Sequence, residues 1–166
     1  MSDEKTLDIL KSALLLEKRG RAFYRKAAEG AQSDAVKQFF ETMVAEEEKH
    51  VELLAAQYKE VKSSGRLIPD SVTDAPENVA EKVLSRELKK HIQAAGFEAA
   101  AISAAMGMEE RAIKLYSQRA DEASDTDERK LYRWLADWET NHLELLAQLE
   151  KDVTEAVWND NNFWPF

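Results

Sequence analysis

Two stretches decide the fold of this chain: Ala45-Glu46-Glu47-Glu48-Lys49-His50 and Asp137-Trp138-Glu139-Thr140-Asn141-His142. Each places Glu-x-x-His in an apolar pattern of helical period, so Glu47 and His50, like Glu139 and His142, share one helix face a turn apart. Two such faces can grip a metal between them. Upstream of each lies a glutamate in matched surroundings, Glu17-Lys18-Arg19-Gly20-Arg21-Ala22-Phe23-Tyr24 and Glu109-Glu110-Arg111-Ala112-Ile113-Lys114-Leu115-Tyr116. Glu109 follows Glu17 by 92 positions, as Glu139 follows Glu47 and His142 follows His50. The chain is an internal duplication whose fixed points are metal-ligand residue types.

Outward from these points the apolar residues define four helices. Leu7, Leu10 and Leu14 lead to Glu17, Tyr24 and Ala28 at alternating spacings of three and four, which predicts a first helix with Glu17 on its buried stripe. Gly30 is its expected stop and Ser33 the expected N-cap of the next, a turn so short that the two helices are antiparallel neighbours. The second stripe runs Phe40, Met43, Glu47, His50 and Leu54, which leaves Glu46 and Glu48 pointing to water. Ile102, Met106, Glu109, Ile113, Tyr116 and Ala120 repeat the first stripe. Tyr132, Leu135, Glu139, His142, Leu146 and Leu149 repeat the second, and Asp125 stands where Ser33 stood.

Between the hairpins, Ser63-Ser64-Gly65-Arg66 ends the pattern, and Pro69, Asp70, Asp74 and Pro76 mark a connection. Asp74 and Pro76 are expected to start a short helix carrying Val79, Val83 and Leu88. A connection of this length can run the height of a bundle. The expected architecture is all-α: one domain over 1–166, with hairpins at about 6–62 and 98–154, a crossover at about 63–97 and an aromatic tail at 155–166. The rings of Trp158, Phe163, Trp164 and Phe166 are expected to dock on the bundle, a dimer contact or partner anchor being the alternative.

Composition narrows the function. A formal net charge of −9 with no basic block argues against nucleic acid or an anionic membrane as partner. The absence of Cys removes disulfides, thiolate zinc sites, Cys-ligated iron-sulfur clusters and cysteine nucleophiles. The N-terminus has neither the basic start nor the apolar run of a signal peptide, and no later stretch could span a bilayer, so a cytoplasmic protein is expected.

Four stripe glutamates at matched depth need compensation. Each buried carboxylate costs several kcal/mol when unpaired, and four together would overwhelm a stability of roughly 5–15 kcal/mol. Arg21, a turn beyond Glu17, is expected to bend outward, pairing with a carboxylate being the alternative, and one arginine cannot neutralise four acids. Two divalent metals can, because four carboxylates and two neutral imidazoles balance them. Oxygen and nitrogen ligands without sulfur suit Fe or Mn and also admit Zn.

With these residues in view, the sequence resembles the ferritin-like superfamily of di-iron carboxylate bundles, and most closely rubrerythrin-like proteins. Their first and third helices share the Glu-x-x-small-x-x-aromatic/aliphatic-Tyr pattern seen from Glu17 to Tyr24 and from Glu109 to Tyr116. The resemblance implies a ferritin-like four-helix bundle holding two iron ions per chain. It implies that Glu17 and Glu109 each end on one metal, that Glu47 and Glu139 bridge both, and that His50 and His142 each complete one. Tyr24 and Tyr116 would orient carboxylates or supply an electron, packing residues with satisfied hydroxyls being the alternative. A homodimer is implied as well. Two departures stand out: Ala112 occupies a position where peroxide-reducing rubrerythrins usually carry a further glutamate, and this sequence has no Cys, whereas rubrerythrins often carry a Cys-rich domain that delivers electrons. Glu48 stands where the otherwise similar bacterioferritins have a haem-binding methionine, which disfavours a haem-bearing cage.

Three functions follow. The first is a redox enzyme whose di-iron centre meets hydrogen peroxide or dioxygen and takes electrons from a separate donor. The second is a ferroxidase or iron-handling protein. The third is a hydroxylase, with Gly20, Ala104, Ala105 and Gly107 opening an apolar pocket, although close helix packing explains the same small residues. His91 has no counterpart 92 positions away and is expected at the surface.

Overall fold

The computed structural model describes residues 3–73, 86–92 and 96–160, except for the side chains of 3, 86, 87 and 156–160. Five helices are described: α1 (Asp3–Gly30), α2 (Asp34–Ser64), α3 (Arg86–His91), α4 (Phe97–Glu122) and α5 (Thr126–Asp160). No strand occurs among the described residues. α1 packs along α2 and α4 along α5, while α1 also meets α4, and α3 lies against α2 and α5. This is the expected all-α, ferritin-like bundle of two hairpins.

The caps repeat with the sequence. Val36 N donates to Ser33 Oγ at 3.2 Å and Glu128 N donates to Asp125 Oδ1 at 2.9 Å, so each hairpin's second helix starts on the same kind of side-chain oxygen. α1 ends at Gly30, and Phe97 packs so closely there that a Cβ would stand 2.7 Å from its ring. The buried Glu98 carboxylate accepts from Gln32 N at 3.1 Å and ties the first turn to the start of α4. α5 continues to Asp160, past the expected end at 154, because no Gly or Pro interrupts the chain there.

Two apolar clusters fill the interior. One gathers Tyr24, Phe39, Phe40, Met43, Leu88, Ile102 and Leu146, the other Leu10, Leu54, Tyr116, Leu131, Tyr132 and Leu135. At roughly 1.5–3 kcal/mol for each large side chain buried, these clusters drive the docking of the hairpins. The crossover leaves α2 through Gly65, whose φ of 74° is the left-handed conformation that closes many helices. Gln57, fully buried on α2, then holds it: Ile68 N donates to Gln57 Oε1 at 2.9 Å and Gln57 Nε2 donates to Ser71 Oγ at 2.7 Å.

Leu88 and Ile92 are buried, and His91 is exposed at the end of α3. The expected helix start at Asp74 and Pro76, with Val79 and Val83, lies outside the described residues, as do the rings of Trp158, Phe163, Trp164 and Phe166. No described helix is long and apolar enough to cross a membrane.

Candidate metal centre

The helices bring all six expected ligand side chains together. Glu17 comes from α1, Glu47 and His50 from α2, Glu109 from α4, and Glu139 and His142 from α5; none is more than 3% exposed. They form two groups, Glu17 with Glu47, His50 and Glu139, and Glu47 with Glu109, Glu139 and His142. Within each group one ligand atom per residue lies within 4.8 Å of every other. Glu47 and Glu139 belong to both groups, one from each hairpin.

Glu139 spans the groups with its two oxygens. Oε1 lies 2.9 Å from His50 Nδ1, and Oε2 lies 3.0 Å from His142 Nδ1. Glu47 divides in the same way, Oε2 at 3.8 Å from His50 Nδ1 and Oε1 at 3.6 Å from His142 Nδ1. Glu17 Oε2 stands 3.2 Å from His50 Nδ1 and Glu109 Oε1 stands 3.7 Å from His142 Nδ1. The imidazoles stack with centroids 5.6 Å apart.

Proximity here is not hydrogen-bond satisfaction. Both Glu139 oxygens, His50 Nε2 and both ring nitrogens of His142 are buried without a hydrogen-bond partner. Each orphaned buried group costs about 1–3 kcal/mol, so the donor set is incomplete as it stands and fits a pair of cations between its atoms. The titration behaviour agrees. Burial and the neighbouring Glu139, Glu109 and Glu17 push Glu47 well above the usual carboxylate range. Glu109, raised by burial and Glu139 despite His142, sits at about 7. Burial lowers His50, but Glu139 and Glu17 outweigh it and lift the imidazole to about 9; His142 is raised well above its ordinary value for a similar reason. Glu139 is held low by the two imidazoles in spite of its burial.

The tyrosines exchange partners between hairpins. Tyr24 on α1 donates its hydroxyl to Glu109 Oε1, and Tyr116 on α4 donates to Glu17 Oε1. Both phenols are fully buried, so each fixes one oxygen of the other repeat's lone glutamate.

Two sequence expectations need correction. Glu46 does not point to water: it is 5% exposed, accepts from Trp138 Nε1 at 3.0 Å and from Lys49 Nζ at 2.8 Å, and lies 3.9 Å from His142 Nε2. Opposed by burial but favoured by His142 and Lys49, its pKa falls to about 2. A stripe drawn on one helix cannot see the neighbour that buries the adjacent position. The available signal was Trp138, which replaces Glu46 in the second repeat. Glu48 is only half-exposed and pairs with Arg21, which therefore reaches a carboxylate at the rim instead of bending free.

A cavity of about 190 Å³ opens over the carboxylates, with Glu17, Glu47, Glu109 and Glu139 at its base. Gly20 and Ala112 contribute to its wall. Of the small residues expected to open a pocket, Gly20 lines it; Ala105 is instead packed in the core, and Ala104 and Gly107 do not line it.

No curated protein and no solved structure matches the chain. The Rubrerythrin family model matches residues 8–150, a span that includes all six clustered carboxylate and histidine residues and both tyrosines. A match over most of the length, on a bundle with this buried carboxylate and histidine cluster, places the chain in the rubrerythrin family.

Proposed function

We propose that the chain is a dinuclear metal carboxylate protein, with two irons per chain, acting as a peroxide-reducing oxidoreductase. The observation that carries this reading is the split of Glu139 between His50 and His142 at 2.9 and 3.0 Å, repeated more loosely by Glu47. Carboxylates so divided suit bridging positions. Glu17 and His50 would complete one metal, and Glu109 and His142 the other.

Two bound irons would supply the two electrons that, with two protons, convert hydrogen peroxide to two waters, and a separate donor would restore them. The protein's share is positional. Tyr24 and Tyr116 lock the lone glutamates, the two apolar clusters hold the ligands away from bulk water, and the cavity gives a small oxidant a way in. Manganese and zinc suit the same oxygen and nitrogen donors. A homodimer in the cytoplasm, with dioxygen as the alternative oxidant, completes the reading.

The test is anaerobic Fe(II) loading followed by stopped-flow mixing with hydrogen peroxide or dioxygen. Uptake should saturate near two irons per chain, with peroxide oxidising the reduced protein faster than dioxygen. Uptake far beyond two would favour the iron-handling function, and slow oxidation of a fully loaded protein would sink the peroxidase reading.

A further inference from the structure

The cavity over the carboxylates obeys the repeat throughout. Leu16 and Met108, Arg19 and Arg111, and Gly20 and Ala112 all line it, and each pair is one position of the two repeats, 92 residues apart. The opening therefore lies between α1 and α4, on the pseudo-twofold axis that relates the hairpins. On the α1 side its width depends on Gly20, where a Cβ would stand 3.4 Å from Glu47 Cδ and Oε2. The space is about 190 Å³, ample for water and for a small ligand. It suits a ligand of three or four heavy atoms.

The arginines are the informative pair. Both are exposed, and among the described residues neither makes an ion pair, although other arginines of this acidic chain do, Arg21 with Glu48 and Arg119 with Glu122. The sequence gives neither a local acid: Leu15, Leu16, Ala22 and Phe23 stand three and four residues from Arg19, and Gly107, Met108, Lys114 and Leu115 from Arg111. Once two divalent cations balance the four carboxylates beneath, these guanidinium groups set the sign of the potential at the opening. They repel cations and attract anions.

We propose that the opening between α1 and α4 is an anion portal, in which Arg19 and Arg111 draw small monoanions, of the size and charge of azide, nitrite or formate, to the metal pair. This rests on the dinuclear reading above. Arginine suits the task because its charge persists at every working pH and its planar fork presents several donors to a small oxyanion.

Azide titration of the oxidised, iron-loaded protein, followed by its visible absorption, tests the portal, with iron content measured first on every sample. Arg19→Gln/Arg111→Gln should keep two irons per chain, bind azide about tenfold more weakly than the parent, and lose most of the dependence of azide affinity on ionic strength. Each single change should cost about threefold. Met108→Trp, which adds bulk beside the opening, should slow azide association with iron content unchanged. Equal azide affinity in the double variant and the parent at full iron content would overturn the portal, as would loss of iron from the double variant. A parent chain that takes up no iron overturns the dinuclear reading itself, and the iron assay reveals that before any azide is added.

Discussion

Trp138 Nε1 donates a 3.0 Å hydrogen bond to Oε2 of Glu46, and the two residues are the same position of the two repeats. The duplication is therefore broken where its copies touch. Glu46 lies 3.9 Å from Nε2 of His142, whereas His50 meets the Trp138 ring edge to face, with centroids 4.8 Å apart. One imidazole has a carboxylate behind it and the other has an indole. Groups behind a ligating histidine typically change metal affinity 10–100-fold. Glu46→Gln should weaken one of the two metal equivalents by about tenfold and leave the other unchanged, as read from stepwise Co(II) titration. Equal weakening of both would show that Glu46 acts on the bundle as a whole.

The phenols invite a second test. Tyr24→Phe and Tyr116→Phe each remove a buried hydrogen bond to a carboxylate of the opposite hairpin. Hydrogen bonds to charged groups are worth about 1.5–3 kcal/mol, so each metal-free variant should lose stability of that order in urea unfolding. The two losses should be similar, because the environments correspond. A negligible loss in both would mean that the lone glutamates are held by other contacts.

Metal uptake should depend steeply on pH. In the metal-free site burial and the neighbouring carboxylates shift the ligands toward their protonated forms: His50 stands near 9 and Glu109 near 7, and Glu47 and His142 are raised in the same direction. Ligation requires neutral imidazoles and ionised carboxylates, so binding expels protons and affinity rises with pH. Between about pH 6 and 8, zinc affinity should increase by at least ~100-fold, with proton release visible to an indicator in weak buffer. Folding of the metal-free chain runs the other way through His50. Its raised pKa contributes stability that is full below its ordinary 6.5 and is lost as pH climbs through about 9.

Metal removal should lower the melting temperature without abolishing the fold, since the apolar clusters are packed from side chains of all the major helices with no metal between them. At a thousandfold excess over Kd, each bound metal adds about 4 kcal/mol. For a chain of this size that is about 8–16 °C per site, at roughly 2–4 °C per kcal/mol. Glu139→Ala should erase most of the shift. His50→Ala should likewise reduce metal content, whereas His91→Ala, altering an exposed residue at the end of α3, should retain it. Parallel losses in the two histidine variants would refute the assignment of His50.

The repeat made most of this legible. Period and spacing alone gave four helices, the caps at Ser33 and Asp125 and six clustered side chains, because each is fixed by its own helix. The environment of Glu46 was not legible, since its burial comes from a helix about 90 residues away, and helical periodicity carries no information about which neighbour covers a flank. Gln57 and Glu98 escaped notice for a related reason. Their partners are backbone amides of a connection and a turn, Ile68 and Gln32, which leave no pattern in the sequence.

The exchanged tyrosine bonds also bear on how the molecule assembles. Tyr24 and Glu109 are 85 residues apart, and Tyr116 and Glu17 are 99 apart, whereas each hairpin closes across a turn of a few residues. Loops of such different length close at different entropic cost, so the hairpins are expected to form early and the carboxylate cage to close last. Neither half of the chain owns a complete set of ligands: Glu139 joins three residues of the first hairpin, and Glu47 joins three of the second. A nascent chain therefore cannot assemble either cluster until its second half has emerged and docked, which makes the carboxylate and histidine cage a late product of folding.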